Sequence, residues 1–394
     1  MQIVKWIIRL IPKEKNLILF SAWFGQKYLD SSMYMYEYLL SNNQFSVFWF
    51  TRNKEIYMHC IKENKPVVYA NTIKGVWKQI RAEMLVSSVQ ISDFNNWFMA
   101  KCIYFDLGHG FPIKSSGFEQ PEVTKRYISY FKFVTKDIKY YMDASSFVTM
   151  NICRRAWNID SDHIVFCNKA RTDVFFDNDL REGKNVIIET FLKTSKARKT
   201  IVYMPTHRSC GVVNMNMNQL LDLKSIQDLC IKNNAIFLIK KHFYHREEKE
   251  DFSNYSNIFD ITNEFIDPQV LLYQADILIS DYSAAYIDYL LLDRPILFYA
   301  YDLENFLTSE RDLYFKFEDN NAGYKPKNAC ELVNCLSEIC SSWDDQKHYK
   351  GRKELRLRYF DSDVPVGNAR EDVAKIIEHM LLGEYTPKWG GRNT

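Results

Sequence analysis

The sequence predicts an α/β protein in which two Rossmann-like domains face each other across a cleft. The 394 residues exceed what one ordinary core needs and suit two domains of roughly 150–200 residues each. Hydrophobic residues make up 47% of the chain and charged residues 25%, a balance typical of folded globular proteins. Apolar runs of strand length alternate with helical stretches, which indicates mostly parallel sheets covered by helices on both faces. Ligands of such domains bind at the carboxyl ends of the strands.

The first domain is expected to span residues 1–183. Its pattern predicts a helix at Ser31–Leu40. Apolar runs predict its strands at Asn16–Ala22, Phe45–Phe50, Val67–Ala70, Met84–Val89, Ile103–Leu107, Phe131–Thr135 and His163–Cys167.

The second domain is expected to span residues 184–394 and to begin its sheet after the charged stretch Lys193–Lys199. Strands are predicted at Thr200–Met204, Ala235–Ile239, Asn257–Ile261, Ile277–Ser280 and Pro295–Tyr299. Helices are predicted at Gln219–Lys232, Pro268–Gln274, Ala284–Leu292 and Ala369–Leu382. The last of these helices can pack back onto the first domain.

Charge and cysteine content exclude several classes of protein. The 51 basic and 49 acidic residues leave a net charge of +2, which argues against nucleic acid as a partner. Nine cysteines in a large chain without C-x-x-C pairs indicate free thiols in a reducing compartment. Cys330, Cys335 and Cys340 recur every five residues, which is poor spacing for zinc. No compact carboxylate cluster identifies a metal site, so no cofactor is assigned and a divalent ion such as Mg²⁺ is left open.

The amino-terminal run Ile3–Ile11 is basic and apolar, but it is shorter than the roughly 20 residues that a membrane span needs. The sequence predicts neither a signal peptide nor a spanning helix. The run can lie flat on an anionic membrane, with Trp6 as an anchor and basic side chains toward the headgroups. These side chains are Lys5, Arg9, Lys13 and Lys15. A helix packed on its own domain is the alternative; either way we expect the chain on the cytoplasmic side, peripheral to the membrane or free.

The sharpest local motif follows the predicted strand Ile103–Leu107. Gly108 and Gly110 flank His109, so the backbone can turn tightly and leave the imidazole exposed at a strand end. A histidine there can act as a general base near neutral pH. Lys114, a few residues later, can hold a phosphate. The alternative is a glycine turn with an incidental histidine.

Two strand ends in the second domain carry similar chemistry. Lys240, Lys241 and His242 follow one strand and suit a phosphorylated ligand, although a solvated basic strand end is the alternative. Pro205 ends another strand and turns the backbone so that Thr206 and Arg208 point into the crevice. Arginine can bind phosphate with two hydrogen bonds, but a surface ion pair is equally consistent. His207 has less support for a role.

A third strand end runs into a helix at Asp281–Ala285, with Ser283 as the expected N-cap. The free N–H groups and the positive end of the helix dipole favour a phosphate there. Asp288, one turn along, can accept hydrogen bonds from ribose or polyol hydroxyls. The alternative is a capped helix with an exposed acid.

Taken in order, these motifs resemble those of the CDP-glycerol glycerophosphotransferases of teichoic-acid and capsule synthesis. That family carries H-G-T-P-x-K, P-R-x-D, P-T-W-R, a basic-x-His strand end and D-Y-S-S. The corresponding segments here are His109–Lys114, Ala170–Asp173, Pro205–Arg208, Lys240–His242 and Asp281–Ala284, while Arg311–Phe315 resembles the family's R-G-x-Y-F. Each motif is short, but five in series over nearly the whole chain are specific.

The resemblance implies a glycosyltransferase-B (GT-B) architecture with an acceptor-side first domain and a CDP-donor-binding second domain. It implies transfer of a polyol phosphate from CDP-glycerol or CDP-ribitol to a hydroxyl of a lipid-linked or polysaccharide acceptor, with release of CMP. By this resemblance, His109 and His242 are expected to be the catalytic pair, and we expect His109 to act as the general base. The donor-binding residues expected from the motifs and the resemblance are Gly108, Gly110, Phe111, Pro112, Lys114, Arg171, Pro205, Thr206, Arg208, Lys240, Lys241, Ser283, Ala284, Asp288 and Arg311.

Three departures from the family pattern bear on the donor. Phe111 replaces a threonine, Ala284 replaces the second serine, and Lys169-Ala170 stand where glycine and proline are usual. Two rival functions stay open: a nucleotide-sugar glycosyltransferase of the same architecture, and a non-catalytic nucleotide-binding scaffold. The intact histidine pair favours an enzyme over a scaffold.

Overall fold

The computed structural model describes residues 6–89, 91–120, 123–135, 140–182, 186–208, 216–242 and 250–387. The chain forms two compact units, which are described separately below. The first comprises the described parts of Met1–Gly110, Ser116–Asp173 and Phe360–Thr394, and the second comprises those of Phe111–Ser115 and Val174–Tyr359. Compactness does not show independent folding, so the predicted domain ranges 1–183 and 184–394 stay a prediction.

The first unit contains a seven-stranded parallel sheet in the order β3-β2-β1-β4-β5-β6-β7. Its strands are β1 Glu14–Ser21, β2 Ser46–Thr51, β3 Val67–Tyr69, β4 Ala82–Ser87, β5 Ile103–Asp106, β6 Tyr140–Asp143 and β7 Ile164–Phe166. The central strand β1 is buried from Leu17 onward, because both faces of a parallel sheet are covered by helices. All carboxyl ends therefore meet at one edge of this sheet.

The second unit contains a five-stranded parallel sheet in the order β10-β9-β8-β11-β12. Its strands are β8 Lys199–Tyr203, β9 Ala235–Ile239, β10 Ile258–Asp260, β11 Ile277–Ser280 and β12 Ile296–Phe298. One core cluster of this unit combines alternate residues of the strands, such as Ile201, Phe237 and Ile279, with helical residues such as Ile226 and Leu336. Two parallel sheets with helices confirm the predicted α/β class.

The principal helices lie between these strands and after the last of them. They are α1 Asp30–Ser41, α2 Lys54–Lys62, α3 Ile73–Arg81, α4 Lys125–Thr135, α5 Val186–Thr194, α6 Leu223–Lys232, α7 Pro268–Gln274, α8 Ala285–Tyr289, α9 Leu303–Ser309, α10 Ala329–Cys340, α11 Tyr349–Tyr359 and α12 Ala369–Leu382. Within the first unit, α12 packs against α1. The Asp173 carboxylate accepts the backbone N–H groups of Ala369 (2.9 Å) and Arg370 (2.8 Å), so it caps the start of α12.

One predicted strand is wrong. Residues 131–135 belong to helix α4, and the strand of this region is β6 at Tyr140–Asp143. The apolar residues Tyr127, Ile128, Phe131 and Val134 recur at the three-to-four-residue spacing of a helix. That spacing outweighs the β-propensity of the aromatic and branched residues on which the strand prediction depended.

Two predicted helices have different bounds. The region predicted as the helix Gln219–Lys232 contains the end of a one-turn α-helix, Met217–Leu220, and helix α6. The Asp222 carboxylate accepts the Ser225 N–H (3.1 Å) and starts the second helix. Helix α8 ends at Tyr289 and continues as a 3₁₀ turn at Leu290–Leu292.

No helix of the described residues is long and apolar enough to cross a membrane. Residues 6–8 are helical, with Trp6, Ile7 and Leu10 exposed and Ile8 buried, while residues 3–5 of the predicted interfacial run lie outside the described residues. Every cysteine in the described ranges is a free thiol. The same ranges contain no group of three or more His, Cys, Asp or Glu side chains that could hold a metal ion.

Candidate active site

The loop Gly108–Gly110, here the histidine loop, follows the carboxyl end of β5 in the first unit. Gly108 has φ +67°, and a Cβ at this position would lie 2.4 Å from Lys169 Nζ and 3.0 Å from the Met142 carbonyl oxygen. A side chain is therefore excluded by both backbone conformation and space. Lys169 Nζ donates to the carbonyls of Leu107 (3.1 Å) and Met142 (2.8 Å), which fixes the loop from its buried side.

His109 belongs to a chain of three charged or polar side chains. Its Nδ1 lies 2.7 Å from Asp30 Oδ2, and Arg171 Nη1 donates to Asp30 Oδ1 over 2.8 Å. The Asp30 and Arg171 side chains are each 4% exposed, whereas the His109 side chain is 43% exposed. The arrangement presents the imidazole to solvent and keeps its two supporting charges buried.

Electrostatics determine the protonation of this group. Burial alone would raise the pKa of Asp30, but the charge of Arg171 and the hydrogen bond with His109 hold that pKa well below its usual range. An ionised carboxylate only accepts hydrogen bonds, so the Nδ1–H of His109 donates to Asp30. Nε2 then carries the lone pair, and within the described residues it has no hydrogen-bond partner. His109 is thus arranged to accept a proton at Nε2.

Asp106, at the end of β5, is a buried carboxyl directly below the histidine loop. Its Oδ1 accepts the Gly108 N–H over 2.8 Å. Burial raises the pKa of Asp106 to about 6, and the Gly108 bond and the charge of Lys169 limit the increase. This carboxyl supports the backbone turn that carries His109.

An aromatic contact orients the His109 ring. Trp23 lies edge-on to it, with ring centroids 4.4 Å apart and planes at 79°. Trp23, Phe24 and Gly25 all have positive φ. Arg52 Nη1 donates to the Phe24 carbonyl over 2.7 Å and holds this strained turn. The turn therefore places a rigid ring against the imidazole.

In the second unit, the strand end after β9 carries the predicted basic cluster. Lys241 is buried, and its Nζ lies 3.1 Å from Glu250 Oε1 and 3.8 Å from Asp260 Oδ2. Lys240 Nζ donates to the carbonyls of Ile261 (3.0 Å) and Glu264 (2.8 Å). Both ammonium groups thus hold neighbouring segments of the second unit.

The ring of His242, at the end of the same cluster, lies beside the ring of His207, with centroids 5.4 Å apart. His207 follows the neighbouring strand β8. Sequence reasoning found less support for a role of His207 than for His109 or His242, and it did not predict this contact between two rings from separate motifs.

Arg208 lies in a buried charge cluster. It is 0% exposed; its Nε donates to Asp302 Oδ2 (2.7 Å) and its Nη2 to Asp281 Oδ2 (2.8 Å). Burial would lower its pKa, but Asp281 and Asp302 raise it above its usual value. Asp281 also accepts the Thr206 N–H over 2.9 Å. The surface ion pair weighed as an alternative is therefore wrong, since the pair is buried, and phosphate binding by Arg208 stays a prediction.

The predicted helix cap differs from the structure. The N-cap residue of α8 is Ala284 and has no side-chain cap bond; Ser283 Oγ, one residue earlier, accepts the Ala285 N–H at 3.4 Å. Asp288 is buried and accepts a bond from Gln269 Nε2 (3.2 Å), so the exposed acid weighed as an alternative is also wrong.

The segment Phe111–Ser115 belongs to the second unit, where it forms backbone hydrogen bonds with the residues that follow Arg311. The Tyr314 N–H donates to the Ile113 carbonyl (2.9 Å), and the Ser115 N–H donates to the Asp312 carbonyl (2.8 Å). Burial lowers the pKa of Lys114 to about 8, with Asp281 opposing the decrease and Arg311 adding to it. The motif that contains Lys114 and the motif that contains Arg311 are thus neighbours in the second unit. Phe111, which departs from the family pattern, packs on Tyr359 with 5.4 Å between the ring centroids.

Sequence reasoning did not predict three contacts of the histidine loop. These are the contacts made by Asp30, Trp23 and Lys169. Asp30 precedes two serines at the start of a helix, a pattern that reads as helix capping. The contact with a histidine 79 positions away depends on the strand order alone.

A sequence model of the CDP-glycerol:poly(glycerophosphate) glycerophosphotransferases matches residues 3–379. The chain belongs to this family. The resemblance inferred from the motifs is therefore confirmed, and with it the class of enzyme, a transferase.

Among curated relatives of this glycerophosphotransferase family member is the teichoic acid glycerol-phosphate transferase of Staphylococcus aureus. It is 25% identical over 346 residues, which cover 82% of this chain and 84% of the relative. The teichoic acid poly(glycerol phosphate) polymerase of Bacillus spizizenii is 27% identical over 400 residues, covering 97% and 95%. Among solved structures, a histidine-to-alanine variant of the wall teichoic acid polymerase TagF matches with a TM-score of 0.81. It has 20% sequence identity, with 97% of this chain and 94% of that chain covered. This likeness confirms the predicted GT-B fold.

Proposed function

We propose that this protein transfers glycerol phosphate from CDP-glycerol to a hydroxyl group of an acceptor and releases CMP. The family name and the activities named for its relatives support the reaction class. The observation that supports the assignment to residues is the Arg171–Asp30–His109 chain. It leaves the Nε2 of a partly exposed histidine without a hydrogen-bond partner among the described residues, while a buried carboxylate holds the other ring nitrogen.

In the proposed reaction, the acceptor oxygen attacks the phosphorus that carries glycerol. A bond forms between that oxygen and phosphorus, the bond from phosphorus to the bridging oxygen of CMP breaks, and CMP leaves with the electron pair. The proton of the acceptor hydroxyl passes to His109 Nε2. Asp30 stabilises the resulting imidazolium and keeps the neutral ring in the tautomer that can accept a proton.

The donor-binding residues divide by exposure into two proposed roles. Arg311 is exposed and Lys114 and Ser283 are partly so; we assign them direct contact with the donor. Arg208, Lys241 and Asp288 are buried and bonded within the second unit; we assign them the task of holding the backbone that contacts the donor. His242 would steady the transferred phosphate or the departing CMP.

The remaining motif positions contribute in the same two ways. Backbone N–H groups near Gly110 and Ala284 suit an anionic ligand, and Thr206 and Lys240 support the neighbouring strand ends. Gly108, Phe111, Pro112 and Pro205 shape the loops. Arg171 acts through Asp30 rather than on the donor.

The test is to incubate the full chain with CDP-glycerol and candidate lipid-linked acceptors, then to measure CMP and the mass of the acceptor. We expect CMP and an acceptor heavier by one or more glycerol phosphate groups. CDP-ribitol and UDP-sugars serve as parallel donors: turnover with a UDP-sugar alone would favour the rival glycosyltransferase, and no turnover with any donor would favour the scaffold.

His109→Ala is the key variant. We expect turnover to fall by about 10²-fold or more, while donor affinity stays within a few-fold. His379→Gln, an exposed histidine of α12, is the matched control and should retain normal turnover. Near-normal turnover in His109→Ala would overturn the assignment.

We further propose that the amino-terminal segment binds the membrane surface on which a lipid-linked acceptor would lie. Trp6, Ile7 and Leu10 are exposed next to the basic residue Arg9, a combination that favours an anionic interface. Replacing the three apolar residues by serine should release the protein from anionic liposomes in sedimentation assays. Leu382→Ser, another exposed apolar residue, is the control; equal sedimentation of both variants would contradict the proposal.

A further inference from the structure

The turn Trp23–Gly25, which follows the carboxyl end of β1, has an unusual backbone. Trp23, Phe24 and Gly25 have φ angles of 52°, 61° and 74°, all in the left-handed region. Glycine adopts this region without strain, but a bulky aromatic residue does not. Strain of this kind persists only where the surrounding structure fixes it, and it is concentrated at functional sites. Two strained aromatic residues in succession therefore point to a function for this turn.

Neighbouring groups hold the backbone of the turn in place. The buried Asp93 accepts the Phe24 N–H at Oδ1 over 2.5 Å. Arg52 Nη1 donates to the carbonyls of Phe24 (2.7 Å) and Asp93 (3.0 Å). The Thr51 hydroxyl donates to the Gly25 carbonyl over 2.8 Å. Because these bonds fix the backbone on both sides of Phe24, the strained conformation exists before any ligand binds.

The two aromatic rings of the turn have different surroundings. The Trp23 ring lies edge-on to His109, with 4.4 Å between the ring centroids. Phe24 is 42% exposed, although it follows Trp23 directly and its Cα is therefore only about 3.8 Å from that of Trp23. The turn thus presents one ring to the proposed general base and a second ring to solvent beside it.

The exposed Phe24 ring favours one class of ligand. An aromatic ring has a flat apolar surface whose face carries partial negative charge. The C–H groups on one side of a sugar ring are flat, apolar and weakly positive, so they complement that face. A phosphate group is repelled by it. The ring therefore suits a saccharide better than a chain made only of glycerol phosphate.

We propose that Phe24 binds a sugar unit of the acceptor, next to the hydroxyl that attacks the donor. This inference rests on the proposed function, in which His109 Nε2 takes the proton of that hydroxyl. Trp23 then orients the base, and Phe24 positions the molecule that the base deprotonates. A relaxed turn would move both rings, which accounts for the strain.

The first test measures binding without turnover. Saturation-transfer NMR compares the binding of methyl disaccharide glycosides by the original chain, Phe24→Tyr, Phe24→Leu and the control Trp77→Leu, which alters an aromatic residue of α3 that is 50% exposed. We expect Phe24→Leu alone to bind the disaccharides at least about five-fold more weakly. Equal binding by all four proteins, or no binding by the original chain, would overturn the proposal. An effect seen only with glycerol phosphate oligomers would overturn the assignment of a sugar.

Phe24→Gly separates a binding role from a structural one. Glycine adopts the φ of 61° without strain, so the melting temperature should stay close to the original value or rise. In assays of CMP release, the KM for a saccharide acceptor should rise at least about five-fold. The kcat should stay within a few-fold, because the bond between His109 and Asp30 is untouched. A lower melting temperature with an unchanged KM would show that the ring only packs the turn and would overturn the proposal. Because the NMR and melting measurements need no turnover, they stay readable if the proposed function fails.

Discussion

Replacing Asp30 by Asn tests the central group of the candidate active site. The substitution preserves the size of the side chain but removes the negative charge between His109 (2.7 Å) and Arg171 (2.8 Å). The amide can still accept a bond from Arg171 through its oxygen. Its nitrogen then faces Nδ1 of His109 and favours the tautomer with the proton on Nε2. A protonated Nε2 cannot take the proton of the acceptor.

The expected loss of turnover follows from this change of tautomer. General-base catalysis typically contributes 10²–10⁴-fold, and we expect Asp30→Asn to lose most of it, about 10²–10³-fold in kcat. The KM for the donor should stay within a few-fold, because the affected residues belong to the first unit. The assay is CMP release at saturating CDP-glycerol. A kcat within about three-fold of the original would refute the reasoning.

Stability supplies an independent readout. The buried Arg171 guanidinium loses its counter-charge, for which about 3 kcal/mol of unfolding free energy is a reasonable magnitude. A carboxyl whose folded pKa is below its unfolded value of about 3.9 stabilises the protein above that pH and ceases to do so as the pH falls. The difference between the original protein and Asp30→Asn should therefore be largest near pH 6–7 and shrink below about pH 4.

Urea unfolding at several pH values measures this difference. Asp228→Asn, an exposed carboxylate on α6, is the control and should change the free energy of unfolding by less than about 0.5 kcal/mol at any pH. A destabilisation by Asp30→Asn that is the same at pH 3 and pH 7 would show that charge is not the cause.

Three further predictions concern neighbouring groups. Burial raises the pKa of Asp106 to about 6, above its unfolded value, so ionisation of this carboxyl destabilises the folded protein as the pH rises from about 4 to 6. Asp106→Asn should therefore raise the free energy of unfolding by about 1–3 kcal/mol at pH 7 and change it little at pH 4. Equal changes at the two pH values would contradict this prediction. Lys114, with a pKa of about 8, should lose its charge between pH 7 and 9, so calorimetric affinity for CDP-glycerol should fall, and Lys114→Arg should flatten that dependence. Gly108→Ala should destabilise the chain by more than 2 kcal/mol and reduce turnover, because its Cβ would meet Lys169; a normal melting temperature would exclude the close approach.

The fold was predictable wherever burial on both faces left a continuous apolar run. β9 and β11 match their predicted bounds because Ala235–Ile239 and Ile277–Ser280 are buried throughout. The prediction failed at residues 131–135, where aromatic residues suit a strand by propensity and a helix by spacing. The adjoining strand β6 has only four residues, too few to show a period.

The candidate site was predictable at strand ends and not beyond them. His109 and His242 could be proposed because parallel strands carry ligand-facing residues at their carboxyl ends. Asp30 could not, because its contact with His109 arises only when β4 lies between β1 and β5 in the sheet. The pairing of His207 with His242 likewise depends on the adjacency of β8 and β9.

Burial also changes how variants of the basic motif residues should be interpreted. The sequence treats Arg208, Lys241 and Lys114 alike, as cations at strand ends, yet the structure separates them by what they contact. Arg208 and Lys241 are paired with buried carboxylates, and removing either leaves an unbalanced buried charge. Lost activity in such a variant therefore says little about phosphate binding unless the free energy of unfolding is measured beside it. Lys114, whose pKa is shifted chiefly by burial, is the cation for which a loss of donor affinity would report on the ligand itself.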